Sequence, residues 1–155
     1  MNDKWDIRYL KLAKEVSKWS KDPSVQVGAI AVGEIGQVLA QGYNGFPRGV
    51  KDDMSRYEDR ETKYRYVVHA EANCIYNAAM NGVSLDGATM YVYGLPACNE
   101  CAKALIQVGI KRIVMPDQQD VPEKWKHSCG ESKDMLEEVG ILYEFVKLPY
   151  MELVK

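Results

Sequence analysis

Large apolar residues recur every three or four positions near the start of the chain, and this spacing predicts an amphipathic helix over residues 4–19. The positions are Trp5, Tyr9, Leu12, Val16 and Trp19. Asn2 or Asp3 is a suitable N-cap residue for this helix. Pro23 ends it, because the residue before a proline disfavours helical geometry.

Two runs rich in β-branched and other apolar residues then predict two strands, over residues 25–32 and 37–43. The intervening Gly-Glu-Ile-Gly sequence is typical of a turn, so the strands are expected to form a β-hairpin. Residues 46–68, which follow the turn Gly-Tyr-Asn-Gly, hold six basic and five acidic side chains. A connection of this length predicts either a lid or binding loop, or a solvated excursion with a helical turn.

Strands and helices alternate through the second half of the chain. The predicted elements are a helix over 69–80 ending at Gly82, a strand over 88–94, a helix over 98–109, a strand over 110–115, a helix over 130–139 stopped by Gly140, and a strand over 141–148. This alternation predicts a largely parallel sheet with helices on both faces, which the N-terminal hairpin makes mixed. We therefore expect one three-layer α/β/α domain over residues 1–155.

Composition narrows the function classes. The 155 residues are 46% hydrophobic and 27% charged, as in an ordinary soluble globular protein. A formal net charge of -2 and a pI near 5.7 argue against a general nucleic-acid or membrane-surface binder. No apolar stretch approaches the roughly 20 residues of a membrane span, and the N-terminal residues lack a signal peptide's apolar region. We expect a cytoplasmic protein, in the host cytoplasm if it is viral.

Two short motifs carry candidate chemistry. Cys98 and Cys101, at i and i+3, share one face of a predicted helix and lie in its first turn, where exposed N–H groups and the helix dipole favour the thiolate. His69 and Glu71 are two residues apart, which in a helix interior would place them about 200° apart. They can face one site only at a helix N-terminus, where the backbone of the first residue has not yet joined the helix.

One imidazole and two thiolates provide three ligands for Zn²⁺, and three protein ligands with one open position are typical of a catalytic zinc site. Glu71 then stands beside the metal as a general acid/base without being a ligand. Each motif also has a simpler interpretation. A lone histidine beside an apolar run is often structural, and a C-x-x-C pair can be a redox pair or two unrelated thiols.

Taken together, the H-A-E motif at 69–71 and the P-x-C-x-x-C motif at 96–101 resemble the signature of zinc-dependent nucleobase deaminases. One departure is Ala97, which stands between the proline and the first cysteine. Three further stretches resemble one branch of these enzymes, the deoxycytidylate (dCMP) deaminases. They are SKDPSVQVGAIAV (20–32), GYNGFPRG (42–49) and CNECAKALIQVGIKRIV (98–114).

The resemblance implies a cytidine-deaminase-like α/β fold, with a five-stranded mixed sheet between helices and a zinc ion held at two facing helix starts by His69, Cys98 and Cys101. The reaction it implies is hydrolysis of dCMP to dUMP and ammonia, which supplies a thymidylate precursor. Zinc would lower the pKa of its bound water toward 7, and Glu71 would move protons from that water to N3 of the pyrimidine and to the departing amine.

The resemblance also implies where the nucleotide binds. The backbone of Ala70 would orient the base, Asn44 would hydrogen-bond the sugar hydroxyl, and Ser20 and Lys21 would help to seat the 5′-phosphate. A nucleotide monophosphate needs a local cationic pocket, and basic residues flank two turns of this chain. They are Lys18, Lys21, Arg48 and Lys51. Each of them, taken alone, is better explained as an ordinary surface residue.

Members of this family are typically homo-oligomers, often hexamers, that dCTP activates and dTTP inhibits, with Mg²⁺ accompanying the triphosphate. The resemblance implies an effector site at the glycine-rich turn and the segment after it. The residues concerned are Gly42, Tyr43, Gly45, Arg48 and Lys51. Neither nucleic acid nor a membrane is expected as a partner.

Two features depart from the family pattern or leave it incomplete. Relatives often carry a tyrosine close to the substrate soon after the strand that ends here at Met115, and Trp125 is the candidate substitute. Some members bind a second, structural zinc, for which Cys74, His127 and Cys129 do not make up an obvious set of four ligands. We interpret Cys74 as a buried small hydrophobe and the other two as surface or helix-entry residues.

Three alternatives remain open. A deaminase of the same fold could act on cytidine, guanine or tRNA adenosine, but the balance of 20 Lys and Arg with 22 Asp and Glu argues against the basic face of a tRNA-editing enzyme. A zinc-stabilised binding module predicts a fourth protein ligand and no need for Glu71. A thiol redox protein would make the His69 and Glu71 motif a coincidence.

Overall fold

The alternation of strand and helix patterns along the chain produces a five-stranded mixed sheet, β2-β1-β3-β4-β5 once the strands are numbered in chain order. The computed structural model describes residues 3–117 and 121–149. The elements are α1 (Asp3–Ser17), β1 (Gly28–Val32), β2 (Val38–Tyr43), α2 (Met54–Glu58), α3 (Arg60–Tyr66), α4 (Ala70–Met80), β3 (Thr89–Tyr93), α5 (Asn99–Gln107), β4 (Arg112–Pro116), α6 (Glu123–Glu138) and β5 (Leu142–Val146).

The strand pairing confirms the predicted hairpin and the mixed sheet. β1 pairs antiparallel with β2 and with β3, whereas β3 with β4 and β4 with β5 are parallel. The parallel strands are joined by crossovers that contain α5 and α6, as parallel connections require. Within the described ranges, no helix is long and apolar enough to cross a lipid bilayer.

Alternate residues of the buried strands point to opposite faces of the sheet, so each strand contributes to two cores. On one face, Ile30 and Val32 of β1 share a buried cluster with Leu10 of α1. On the other face, Ala29 and Ala31 share a cluster with buried residues of α4, α5 and α6. This arrangement confirms the predicted three-layer α/β/α architecture.

Gly42 allows the start of α4 to lie against the hairpin. A Cβ atom at this position would collide with the backbone of Ala70 and Cys74. Because α4 packs directly on β2 here, Gly42 fixes the position of the helix start that carries the H-A-E motif. Gly42 therefore has a packing role, since it allows α4 to lie close to β2.

Most element boundaries differ from the prediction by one to three residues, and the start of α6 differs by more. α1 ends at Ser17, two residues early, and β1 begins at Gly28 because the backbone N–H of Val27 donates to the side chain of Asn44 (2.8 Å) and not to a strand. α6 begins at Glu123, seven residues before the predicted start. Its first half is largely polar, so the apolar period that signals a helix is missing there.

The charged segment 46–68 contains two short helices, α2 and α3, and packs onto the body of the domain. The ring of Phe46 stacks on that of Tyr57 with centroids 4.2 Å apart, and Tyr57 is only 4% exposed. An isolated bridge between Gly45 and Val68 closes the base of the segment. The segment is therefore packed at both ends, and α3 reaches the cavity described below.

A buried charge network ties α1 to the sheet on the face away from that cavity. Arg112 of β4 donates to both carboxylate oxygens of Asp6 (2.9 and 2.7 Å) and also pairs with Glu144 of β5 (2.8 Å). Tyr91 of β3 donates its hydroxyl to Asp6 at 2.7 Å. Since Asp6 is 1% exposed, its charge depends on these partners.

Asp6→Asn is expected to lower the free energy of unfolding at pH 7 by about 3 kcal/mol, because it leaves the buried Arg112 charge only partly compensated. Burial acts to raise the pKa of Asp6, but Arg112 and Tyr91 together lower it below its ordinary value. With a depressed folded-state pKa, the contribution of Asp6 is complete above its unfolded pKa of about 4 and is lost as the pH falls through the folded-state value.

Urea unfolding followed by circular dichroism should therefore show a large difference between wild type and Asp6→Asn at pH 7 that shrinks below about pH 4. Glu34→Gln, which removes an exposed ion pair with Lys111 (3.6 Å), is the control and should change stability by less than about 0.5 kcal/mol. A difference for Asp6→Asn that stays constant down to about pH 2 would contradict this account of the network.

Candidate metal and nucleotide site

The start of α4 brings His69 and Glu71 to one side. His69 is the N-cap residue and has an extended backbone (φ −70°, ψ 155°), so it precedes the helical spiral. Glu71 lies in the first turn and is 3% exposed. The pair is thus placed at a helix N-terminus, the arrangement that its two-residue spacing requires.

The start of α5 repeats this arrangement for the two cysteines. Cys98 is the N-cap residue, also extended (φ −77°, ψ 172°), and its carbonyl accepts the first helical hydrogen bond from the N–H of Ala102 (2.9 Å). Cys101 follows within the first turn and is buried. Both thiols therefore lie at the positive end of a helix dipole, which favours the thiolate.

The two helix starts meet and form one donor group. Nδ1 of His69 lies 3.4 Å from Sγ of Cys98 and 3.4 Å from Sγ of Cys101. All three donor atoms lie within 4.8 Å of one another, and one nitrogen with two sulfurs is a donor set that zinc prefers. The residues present therefore fit a zinc ion.

Across residues 3–117 and 121–149, no fourth His, Cys, Asp or Glu joins this donor group. Cys74 is a residue of α4 that is buried in the core, and Cys129 is half-buried in α6. The ring of His127 is 89% exposed and faces Glu131 at 3.6 Å. The zinc-stabilised binding module required a fourth ligand, and the described residues supply only three.

The protonation equilibria of the group are strongly shifted. The pKa of the Cys98 thiol is lowered, first because the Cys101 thiol donates a hydrogen bond to it and also because the His69 ring does so. The pKa of Cys101 is raised by the same hydrogen bond and by burial. The pKa of His69 is raised, chiefly by its hydrogen bond to Cys98. One thiolate is thus already favoured before any metal binds.

Glu71 stands beside this group without belonging to it. Burial raises the pKa of its carboxyl, and the nearby imidazole of His69 partly opposes that rise. A carboxyl group with a raised pKa holds its proton more firmly than a free carboxyl group does, and this shift is in the direction that suits a general acid/base.

A cavity opens directly onto His69, Glu71 and Cys98. Its wall is formed by the loop before β1, the end of β2, α3, the starts of α4 and α5, and the start of α6. The lining residues are Asp22, Ser24, Val25, Val27, Asn44, Lys63, Tyr64, Val67, His69, Ala70, Glu71, Leu95, Pro96, Cys98, Lys124 and Trp125. A ligand in this cavity would contact the donor group at one end and charged side chains elsewhere.

Of the residues predicted to bind substrate, Asn44 and Ala70 line the cavity and the other two do not. Asn44 is held in place, since its Oδ1 accepts from Val27 (2.8 Å) and its Nδ2 donates to the carbonyl of Val25 (2.9 Å). Ser20 is buried behind it and donates to the Asn44 carbonyl (2.8 Å). Lys21 points outward and pairs with Asp52 (2.7 Å).

The predicted effector residues all lie outside this cavity. The ring of Tyr43 packs edge-on against Trp19, and Gly45 forms the bridge at the base of segment 46–68. Arg48 donates to Oδ1 of Asn77 at 2.5 Å, and Lys51 pairs with Asp53 at 3.2 Å. Arg48 instead lines a second, shallower pocket between β2 and the end of α4.

The basic residues that flank the two turns were candidates for a cationic pocket, but none of them lines the cavity. They are Lys18, Lys21, Arg48 and Lys51. Lys63 and Lys124 line the cavity instead, together with Asp22 and Tyr64. Asp22 is brought to Lys63 (2.9 Å) across 41 residues of sequence, and a local pattern does not reveal such a pair. Trp125, the predicted aromatic substitute, lies edge-on to the His69 ring with centroids 6.5 Å apart.

The amino-acid sequence is similar to those of known deaminases. Residues 3–116 match the family described as "Cytidine and deoxycytidylate deaminase zinc-binding region". The "Probable deoxycytidylate deaminase" of Drosophila melanogaster is 40% identical over 150 residues, 90% of this chain and 71% of that protein. The "Uncharacterized deaminase in luxG 3'region" of Aliivibrio fischeri is 35% identical over 153 residues, 98% of this chain and 100% of that protein.

A solved structure is similar over nearly the whole chain. The dCMP deaminase of the cyanophage S-TIM5, crystallised in complex with dCMP and dUMP, aligns with a TM-score of 0.78 at 25% sequence identity. The alignment covers 94% of this chain and 99% of that one. The five-stranded fold expected from the resemblance is therefore confirmed.

Proposed function

The chain belongs to the cytidine and deoxycytidylate deaminase family, and from this premise we propose that it hydrolyses dCMP to dUMP and ammonia. The observation that carries the proposal is the three-donor group of His69, Cys98 and Cys101 with the buried Glu71 beside it, at the end of an open cavity. The dCMP and dUMP bound to the cyanophage enzyme support this choice of substrate.

In this proposal His69, Cys98 and Cys101 hold the zinc ion. When bound, zinc would act as a Lewis acid and lower the pKa of a water molecule. Glu71 accepts a proton from water and passes it to N3 of the cytosine ring. It then takes the proton from the hydroxyl newly bonded to C4, which becomes the carbonyl, and delivers it to the departing amine. The bond from C4 to oxygen forms and the bond from C4 to nitrogen breaks, so that one water is consumed and one ammonia is released.

The cavity wall has the groups that such a substrate needs. The backbone of Ala70 orients the base, and Oδ1 of Asn44 has a lone pair left for the sugar hydroxyl after accepting from Val27. Trp125 lies against the His69 ring and closes one side of the cavity. Ser20 acts from behind by holding the backbone of Asn44.

We also propose that dCTP activates the enzyme and that dTTP inhibits it, with Mg²⁺ bound to the triphosphate. The enzyme would be a homo-oligomer, such as a hexamer, in the cytoplasm. The support for an effector site is the second pocket beside Arg48. Support for assembly comes from Val38 and Met80, apolar side chains exposed by 48% and 73% near that pocket. Thiol metal ligands suit a reducing compartment.

Zinc-loaded protein should release ammonia from dCMP with a kcat/KM at least about 100-fold above that for deoxycytidine, because charge-assisted hydrogen bonds to the phosphate contribute roughly 1.5–3 kcal/mol each. The assay compares dCMP, CMP, deoxycytidine and cytidine, each with and without dCTP and Mg²⁺. If deoxycytidine is the better substrate, or if dCMP is inert under both conditions, the proposal fails.

A further inference from the structure

We propose that Lys124 and Tyr64 together bind the 5′-phosphate of the substrate and so select a nucleotide over a nucleoside. This inference rests on the proposed function and assigns one end of the same cavity. The ligand group concerned is a phosphate monoester, which is largely a dianion at neutral pH. The inference follows from the hydrogen-bonding state, the charge and the position of the two side chains.

The two side chains form a donor pair at the cavity wall. Nζ of Lys124 donates to Oη of Tyr64 at 2.6 Å, which joins α6 to α3. Because the phenol oxygen accepts this bond, the phenol hydrogen is left to donate, and the ammonium keeps two further hydrogens. Both residues line the cavity. An anion placed between them therefore meets several donors, one of which is charged.

Charge distinguishes Lys124 from the other lysine of the cavity. Lys63 is buried and forms an ion pair with Asp22 at 2.9 Å, so its charge is already compensated. No carboxylate among the described residues pairs with Lys124. It is thus the cavity lysine whose charge remains available to a bound anion. Lys21, the residue first expected to meet the phosphate, is paired with Asp52 and lies outside the cavity.

The position of Lys124 and Tyr64 relative to the donor group also agrees with a role in phosphate binding. The Trp125 ring lies edge-on to the His69 ring (6.5 Å) and edge-on to the Tyr64 ring (6.0 Å), and the Lys124 ammonium is 5.6 Å from its centroid. The indole therefore lies next to the donor group on one side and next to the ammonium on the other, and all of these groups line the same cavity. Lys124 also lies in the first turn of α6, where the helix dipole favours an anion.

The electrostatic state of Tyr64 agrees with this geometry. The pKa of its hydroxyl is lowered, chiefly by the hydrogen bond from Lys124. A more acidic hydroxyl is a stronger hydrogen-bond donor to phosphate oxygens. Lys124 therefore strengthens Tyr64 as a hydrogen-bond donor to an anion.

The test measures binding of dUMP and of deoxyuridine to zinc-loaded protein by calorimetry, for wild type, Lys124→Gln and Tyr64→Phe. Lys124→Gln should weaken dUMP binding by about 10- to 100-fold and leave the Kd of deoxyuridine unchanged. Tyr64→Phe should weaken dUMP binding by a smaller factor of about 3 to 10. In turnover of dCMP, the loss should be in KM, with kcat little changed.

Lys126→Gln is the matched control. Lys126 lies on the same helix, pairs with Glu123 at 2.8 Å and does not line the cavity, so its variant should bind dUMP as wild type does. Equal weakening of dUMP and deoxyuridine in Lys124→Gln would overturn the inference, because the lysine would then act through the fold. Unchanged dUMP binding in Lys124→Gln would also overturn the inference about the phosphate. If wild type still turned over dCMP in that case, the proposed function would stand. A wild type that binds zinc but neither dUMP nor dCMP would overturn both.

Discussion

Glu71→Gln is expected to reduce ammonia release from dCMP by about 10⁴-fold, the upper end of what a general acid/base contributes. The upper end applies because this one side chain carries each proton transfer of the proposed reaction. Glutamine has the same shape but cannot take up the proton. Because Glu71 does not belong to the donor group, the variant should retain one zinc per chain.

The measurement pairs turnover with zinc content determined by mass spectrometry. Glu100→Gln is the matched control, since Glu100 also lies in the first turn of a helix but is exposed and pairs with Lys103 at 2.7 Å. The control should retain full activity. If Glu71→Gln kept activity within about tenfold of wild type with zinc bound, Glu71 would not be the general acid/base.

Cys101→Ser is expected to abolish both zinc binding and turnover. Structural zinc sites with four ligands are worth about 10–16 kcal/mol, so the loss of one thiolate from a three-ligand site should cost about 3 kcal/mol or more, which is over 100-fold in affinity. Chelation of wild type should likewise remove activity, and added zinc should restore it. Added zinc should not restore the variant at the same concentration.

Cys129→Ser is the control for this variant, because Cys129 is a half-buried cysteine of α6 outside the donor group. It should retain one zinc and the wild-type rate. Stoichiometric zinc in Cys101→Ser at nanomolar free metal would contradict the assignment of Cys101 as a ligand. Loss of zinc from Cys129→Ser would show that the site extends beyond the three donors.

The sequence predicted the architecture well because its signals are local. The alternation of strands and helices, the hairpin and the placement of His69 at a helix start all follow from patterns within about ten residues, and each is confirmed. The start of α6 was missed because Gly130 and a polar first half conceal it. That half is helical in the structure, with Lys124 and Trp125 on the cavity wall.

The residues that line the cavity were harder to predict because they depend on contacts between distant segments. In the loop around residues 20–25, Asp22, Ser24 and Val25 line the cavity, whereas Lys21 points away and pairs with Asp52. Lys63 lies in segment 46–68, for which the sequence left open a lid or binding loop and a solvated excursion. It becomes buried only because Asp22 meets it after folding.

Hydrolytic deamination of dCMP can be tested by turnover of dCMP by zinc-loaded protein in ¹⁸O-labelled water. We expect one ammonia for each dUMP and one ¹⁸O atom at C4 of the dUMP product. Product formation should be lost in Glu71→Gln. If wild type formed dUMP no faster than that variant, or formed dUMP without ¹⁸O at C4, the protein would not be a hydrolytic dCMP deaminase.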